Sequence, residues 1–149
     1  MQHITSDAED LFLRAEWSEE RGHLSEAFKF LLAAARLGDA SSQLNLANFY
    51  SEGKGVPKSL AQAAKWYKVA YRNGNRSAAL NLALDLEKQG HTRAAIAVVL
   101  NDGDACVALE KLYKNKRIQI ELLRKAMLMS SDDITQDARS EAQELLTRE

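Results

Sequence analysis

The chain has 149 residues, of which 46% are apolar and 28% charged, and its formal net charge is −1. That length gives one domain with room for a core, and the near-neutral balance excludes a global pull towards nucleic acid or membrane. Cys106 is the single cysteine, which excludes an intrachain disulfide and a structural zinc site of the usual composition; it reads as a small buried apolar residue.

The opening stretch, MQHITSDAEDLFLRAEW, has no basic segment followed by an apolar core, so it is not a secretory signal. No run of about 18 apolar residues follows, which leaves no membrane-spanning helix and makes the cytoplasm the default compartment. The chain then repeats itself. A shift of 36 residues lays AFKFLLAAARLGD (Ala27 to Asp39) over AAKWYKVAYRNGN (Ala63 to Asn75), and QLNLA (Gln43 to Ala47) over ALNLA (Ala79 to Ala83). RGHLSEA (Arg21 to Ala27) also matches QGHTRAA (Gln89 to Ala95), with His23 and His91 each after a glycine.

Each unit reads as two helices joined by a turn. The first covers about 7–38 and the second 39–74. In the second, Leu60, Ala63, Ala64, Tyr67, Ala70 and Tyr71 recur at helical spacing, while Gln62, Lys65, Lys68 and Arg72 form a solvated stripe. A third unit covers about 75–103 and a fourth 104–130. Gly38, Gly74 and Gly103 stand where the second helix of each unit must stop. Residues 131–148 read as a capping helix, with Ser131 as N-cap, acidic residues in the first turn, and a stripe of Ile134, Ala138, Ala142, Leu145 and Leu146.

The loop SEGKGVPKS raises the question of a phosphate cradle. A P-loop needs a glycine directly before its Lys-Ser/Thr pair, and Lys58-Ser59 follows Pro57, which has no N–H to donate. The loop is therefore structural. Gly53 and Gly55 give access to positive φ, Pro57 cannot continue a helix, and Ser59 caps the helix that follows.

From Ser42 to Asn75, SQLNLANFYSEGKGVPKSLAQAAKWYKVAYRNGN resembles the Sel-one-like repeat, a relative of the tetratricopeptide repeat. The matching positions are Leu46, Ala47, Tyr50, Gly53, Gly55, Val56, Pro57, Ala63, Trp66, Tyr67, Ala70 and Gly74. Ala27, Ala34 and Gly38 before it, and Ala78, Leu82 and Ala83 after it, carry weaker matches. Ser42 departs from the alanine of that pattern, and Tyr71 from a small residue, so its ring must turn outward or the packing open. The third unit lacks the GKGVP loop and turns on Gly90; the fourth loses register after Leu109, with Lys111 in place of a core leucine.

The resemblance implies an all-α fold, an α-α superhelix of about four helix pairs with a C-terminal cap, used as a protein-binding scaffold. Its first helices would form a concave wall, on which Gln43, Asn45, Asn48, Asn81 and Asp85 are the polar positions. Trp66 and Tyr67 fall on Phe30 and Leu31 of the neighbouring unit, which assigns them to the core. Trp17 has no counterpart; it is a candidate exposed anchor, against the general tendency of tryptophan to be buried.

Charge runs acid–base–acid. Residues 1–26 hold seven acidic and two basic side chains; Gly53 to Leu84 hold six basic and none acidic; the last twenty hold six acidic and two basic. That layout suits steering of a charged protein partner. No base-reading motif accompanies the basic segment, which argues against nucleic acid. No catalytic motif, metal-ligand spacing or cofactor motif is present, and no small-molecule substrate is implied. The expected function is a non-catalytic protein-protein interaction module or adaptor. A dedicated immunity-type protein that neutralises a toxin is the alternative, and an enzyme with a site near His23 or His91 the remote one.

Overall fold

The computed structural model describes residues 2–99, 103, 106–107, 116–129 and 133–148. Every extended element among them is an α-helix, and no strand occurs there. In chain order these are α1 (Gln2–Glu20), α2 (Leu24–Arg36), α3 (Ala40–Glu52), α4 (Leu60–Arg72), α5 (Ser77–Lys88), α6 (Thr92–Val99), α7 (Lys116–Met127) and α8 (Gln136–Thr147). The chain divides into two compact units, Met1–Ala78 and Ala79–Glu149.

Five of the helices end in the same way. After α1, α2, α3, α4 and α5 comes a glycine at positive φ: Gly22, Gly38, Gly53, Gly74 and Gly90. The residue after each glycine donates its N–H back into the last helical turn, as with Asp39 to Ala34 (3.3 Å), Asn75 to Ala70 (2.9 Å) and His91 to Leu86 (2.8 Å). These bonds satisfy carbonyls that a helix end otherwise leaves open. The expected stops at Gly38 and Gly74 are thus met.

In the first unit α1 packs on α2, α2 on α3, and α3 on α4. Small residues let the helices approach closely. Ala15, Ala27 and Ala35 are buried beside Leu31, Leu46 and Phe49, and Phe28 meets Tyr50 edge-on at 5.3 Å. Asp39 caps α3, its carboxylate accepting from the Ser42 N–H at 2.6 Å, and Ser59 caps α4 through the Gln62 N–H at 3.3 Å. Tyr67 is buried and Trp66 packs half-buried against the core. Ser42 is fully buried, and the Tyr71 ring reaches the surface at 37% exposure.

The GKGVP loop folds back onto the turn between α1 and α2. A Cβ on Gly55 would lie 2.2 Å from the Leu24 carbonyl oxygen, and its φ is +60°. Only glycine fits such a seat. Lys54 secures it, its Nζ lying 3.2 Å from Glu19 at the end of α1 and 3.2 Å from Glu52.

The second unit has an aliphatic core of its own. Ala83, Ala95, Cys106, Val107, Leu122, Leu123, Ala126, Ile134 and Ala142 are buried in it, and Ala138, Leu145 and Leu146 pack at its edge. Two expectations change here. Gly103 does not end a helix: it is helical, its N–H donates to the Asp133 carbonyl at 2.7 Å, and a Cβ there would lie 2.4 Å from Cβ of Ile134. Its bareness serves packing, not termination. The final helix starts at Gln136, with Thr135 as N-cap accepting from the Ala138 N–H at 3.3 Å. Ile134 therefore precedes the helix. Ser131, Leu109 and Lys111 lie outside the described residues.

Candidate functional site

The polar wall expected on the first helices is largely turned inward. Gln43 is 2% exposed. Its Nε2 donates to the Ala35 carbonyl at 3.1 Å, and its Oε1 accepts from Asn73 Nδ2 at 2.9 Å. It joins the ends of α2 and α4 across α3 and offers nothing to a partner. Asn48 is half-buried, and its Oδ1 accepts from the Tyr67 hydroxyl at 2.7 Å. Asp85, on α5 of the second unit, is also buried, at 7% exposure, and its Oδ2 has no hydrogen-bond partner among the described residues. Asn45 and Asn81 are half-buried.

The reason lies in register. The 36-residue shift that aligns the units puts Gln43 on Ala79 and Asp85 on Phe49. Both counterparts are core positions, 4% and 2% exposed. Polarity suggested a solvated face, but repeat position decides which face it is.

The two most exposed large apolar residues of the first unit lie on α1, with Leu37 and Tyr71 less exposed elsewhere. Leu13 is 57% exposed and Trp17 52%. They are one turn apart, opposite the buried Ala8, Ala15 and Ser18. The Arg21 guanidinium stacks on the Trp17 ring, 4.1 Å from its centroid, and this cation–π contact steadies the indole on the helix surface. Helical periodicity sets Glu9, Glu16 and Glu20 along one flank of this ridge and Asp10, Arg14 and Arg21 along the other. On the second flank Asp10 and Arg14 pair at 2.8 Å. The three glutamates of the first flank meet no counter-charge among the described residues. Beside them a groove of about 450 Å³ is lined by Glu9, Phe12, Leu37 and Asp39, among others.

Residues 24–39 and 40–75 match the Sel1 repeat family. Residues 24–75 are thus similar to Sel1 repeats. The first match covers α2 and its glycine stop; the second covers α3, the GKGVP loop and α4. A curated relative is the chitin synthase regulator SKT5 of Saccharomyces cerevisiae, 39% identical over 54 residues, which are 36% of this chain and 8% of that protein. Among solved structures, the crystal structure of a Sel1 repeat protein from Oxalobacter formigenes superposes with a TM-score of 0.61 at 21% identity, over 80% of this chain and 55% of that one. That likeness places the fold in the all-α class of α-α superhelices. Sel1 repeats typically mediate protein–protein interaction, and scaffolds built from them are generally non-catalytic.

Outside the matched segments, His23 and His91 serve as turn residues. Each follows a helix-ending glycine, and each donates its backbone N–H to a carbonyl of the preceding helix at 2.8 Å. Both side chains are exposed, His23 lying 3.7 Å from Glu26. The basic segment divides in two. Lys54 is engaged by Glu19 and Glu52, whose hydrogen bonds raise its pKa above the usual lysine value of 10.5. Lys65, Lys68 and Arg72 are exposed along α4. No described helix is long and apolar enough to cross a membrane.

Proposed function

We propose that the chain is a non-catalytic docking module for a protein partner and that the outward ridge of α1 is its principal contact. The observation that carries this reading is Leu13 and Trp17 standing side by side, each more than half exposed. Large apolar groups exposed together mark interaction surfaces, and tryptophan is the residue type most enriched among binding hot spots. The first-helix wall keeps a lesser part, through Asn45 in the first unit and Asn81 in the second.

A single compact ridge suits one dedicated partner. That favours, as a second reading, an immunity-type role in which the chain binds and neutralises a toxin. The deciding experiment uses paired baits in lysate of the source organism: the full chain and its Leu13→Ser/Trp17→Ser variant. A partner held stoichiometrically by the first and lost by the second is expected. A partner held equally by both would move the contact off α1. Expressing the captured partner alone and with the chain then separates the roles, since toxicity relieved by the chain is the outcome an inhibitor requires.

A further inference from the structure

Resting on that docking reading, we infer that the segment seated on α1 is an amphipathic helix carrying lysine or arginine along one edge. The surface dictates this chemistry. Glu9, Glu16 and Glu20 recur at the seven- and four-residue spacings that keep one flank of a helix, covering about 16 Å of its length at 1.5 Å per residue. A cationic edge running alongside would meet all three. A loop or strand edge would not follow the line so far.

The apolar ridge supports the same occupant. Leu13 and Trp17 form an i, i+4 row, the type of ridge that a second helix receives between its own side chains. The far flank needs no ligand, because Asp10 and Arg14 neutralise each other and Arg21 covers the indole. The groove on the glutamate side, with Phe12 and Leu37 next to Glu9 and Asp39, suits the alkyl stem and charged head of a long basic side chain. Nucleic acid and anionic membrane would be repelled by the same glutamates. A second copy of this chain, offering Lys65, Lys68 and Arg72 of α4, is the competing occupant. It would make a head-to-side contact that does not close, and α4 contributes only Tyr71 as a large exposed apolar group.

The test uses two synthetic helical peptides of about 16 residues, the length α1 can accompany. Both carry the same leucine stripe; one has lysines along its edge and the other glutamates. Titration calorimetry against the full chain should show one-to-one binding of the lysine peptide, at least about tenfold tighter than the glutamate peptide and weakened several-fold by raising salt from about 0.05 to 0.3 M. The Glu9→Lys/Glu16→Lys/Glu20→Lys variant should invert the preference, and Leu13→Ser/Trp17→Ser should abolish binding of both. These positions are exposed, so unchanged thermal melts verify folding. Equal binding of the two peptides would overturn the charge inference and leave the docking reading standing. Binding of neither would overturn the inference, and the docking reading would then rest on the paired baits alone. Sedimentation showing a concentration-dependent oligomer that the triple reversal dissolves would overturn the inference in favour of a second copy.

Discussion

The first unit closes its core around Phe49, while the second puts Asp85 at the corresponding point of the repeat, 36 residues on. The two also differ in how their helices are tied. A seven-residue link, residues 53–59 with the GKGVP loop, carries the first unit from α3 to α4 and reaches back to the α1–α2 turn through Gly55 and Lys54. The second unit passes from α5 to α6 on Gly90 alone, with no excursion. The shared glycine stops show that helix termination is the conserved part of the plan within this chain. What differs is cross-linking, and with it the expected resistance to opening.

The largest test of that difference is Gly55→Ala. The new methyl group would meet backbone at 2.2 Å in a left-handed conformation, so a loss of ~3 kcal/mol or more is expected, visible as collapse of the first unit's melting transition. Gly38→Ala has a positive φ but open space around it, so only ~1–2 kcal/mol should be lost. Equal losses would show that the loop's seat against Leu24 contributes nothing.

Gly103→Ala probes the second unit. Its Cβ would come within 2.4 Å of Cβ of Ile134, which is fixed to the backbone, so the segment carrying Ile134 must shift. A loss of ~1–3 kcal/mol in denaturant unfolding is expected. Asp85→Leu should act in the opposite direction. Removing a buried carboxylate whose Oδ2 lacks a partner among the described residues should stabilise by ~1–2 kcal/mol and make the second unit more like the first. Destabilisation by Leu together with full stability in the volume-matched Asp85→Asn would locate the effect in packing instead.

The smallest effect is Lys54→Met. The Lys54 side chain is 37% exposed, so solvent screening limits the pair to ~0.5 kcal/mol. Its pKa is raised on folding by its hydrogen bonds to Glu19 and Glu52. The stabilisation is therefore complete below the unfolded value of 10.5 and fades as pH rises through the higher folded value. Melts of the two proteins should converge in that alkaline range and differ below it.

Much of the first unit could be read from sequence because its signals are local. The caps at Ser59 and the stops at Gly38 and Gly74 depend on neighbours within a few residues, as does the burial of Tyr67 in a helical stripe. What was misread depends on distant contacts. Gln43 looked solvated because it is polar, yet it lies in a core register and bonds to Ala35 and Asn73. Gly103 looked like a stop because glycine so often is one, and nothing nearby in sequence announces Ile134 above it. Trp17, a candidate exposed anchor by sequence, is 52% exposed, although no repeat partner indicates which way it faces.

Gly55 also bears on how such chains can be recombined. The second family match begins at Ala40, but the loop inside it is cut to receive a carbonyl from Leu24, in the match before. A cassette of residues 40–75 moved into another array would carry half of a joint. Whether it holds there depends on the turn that the host supplies in front of it, so the transferable module runs from α1 to α4.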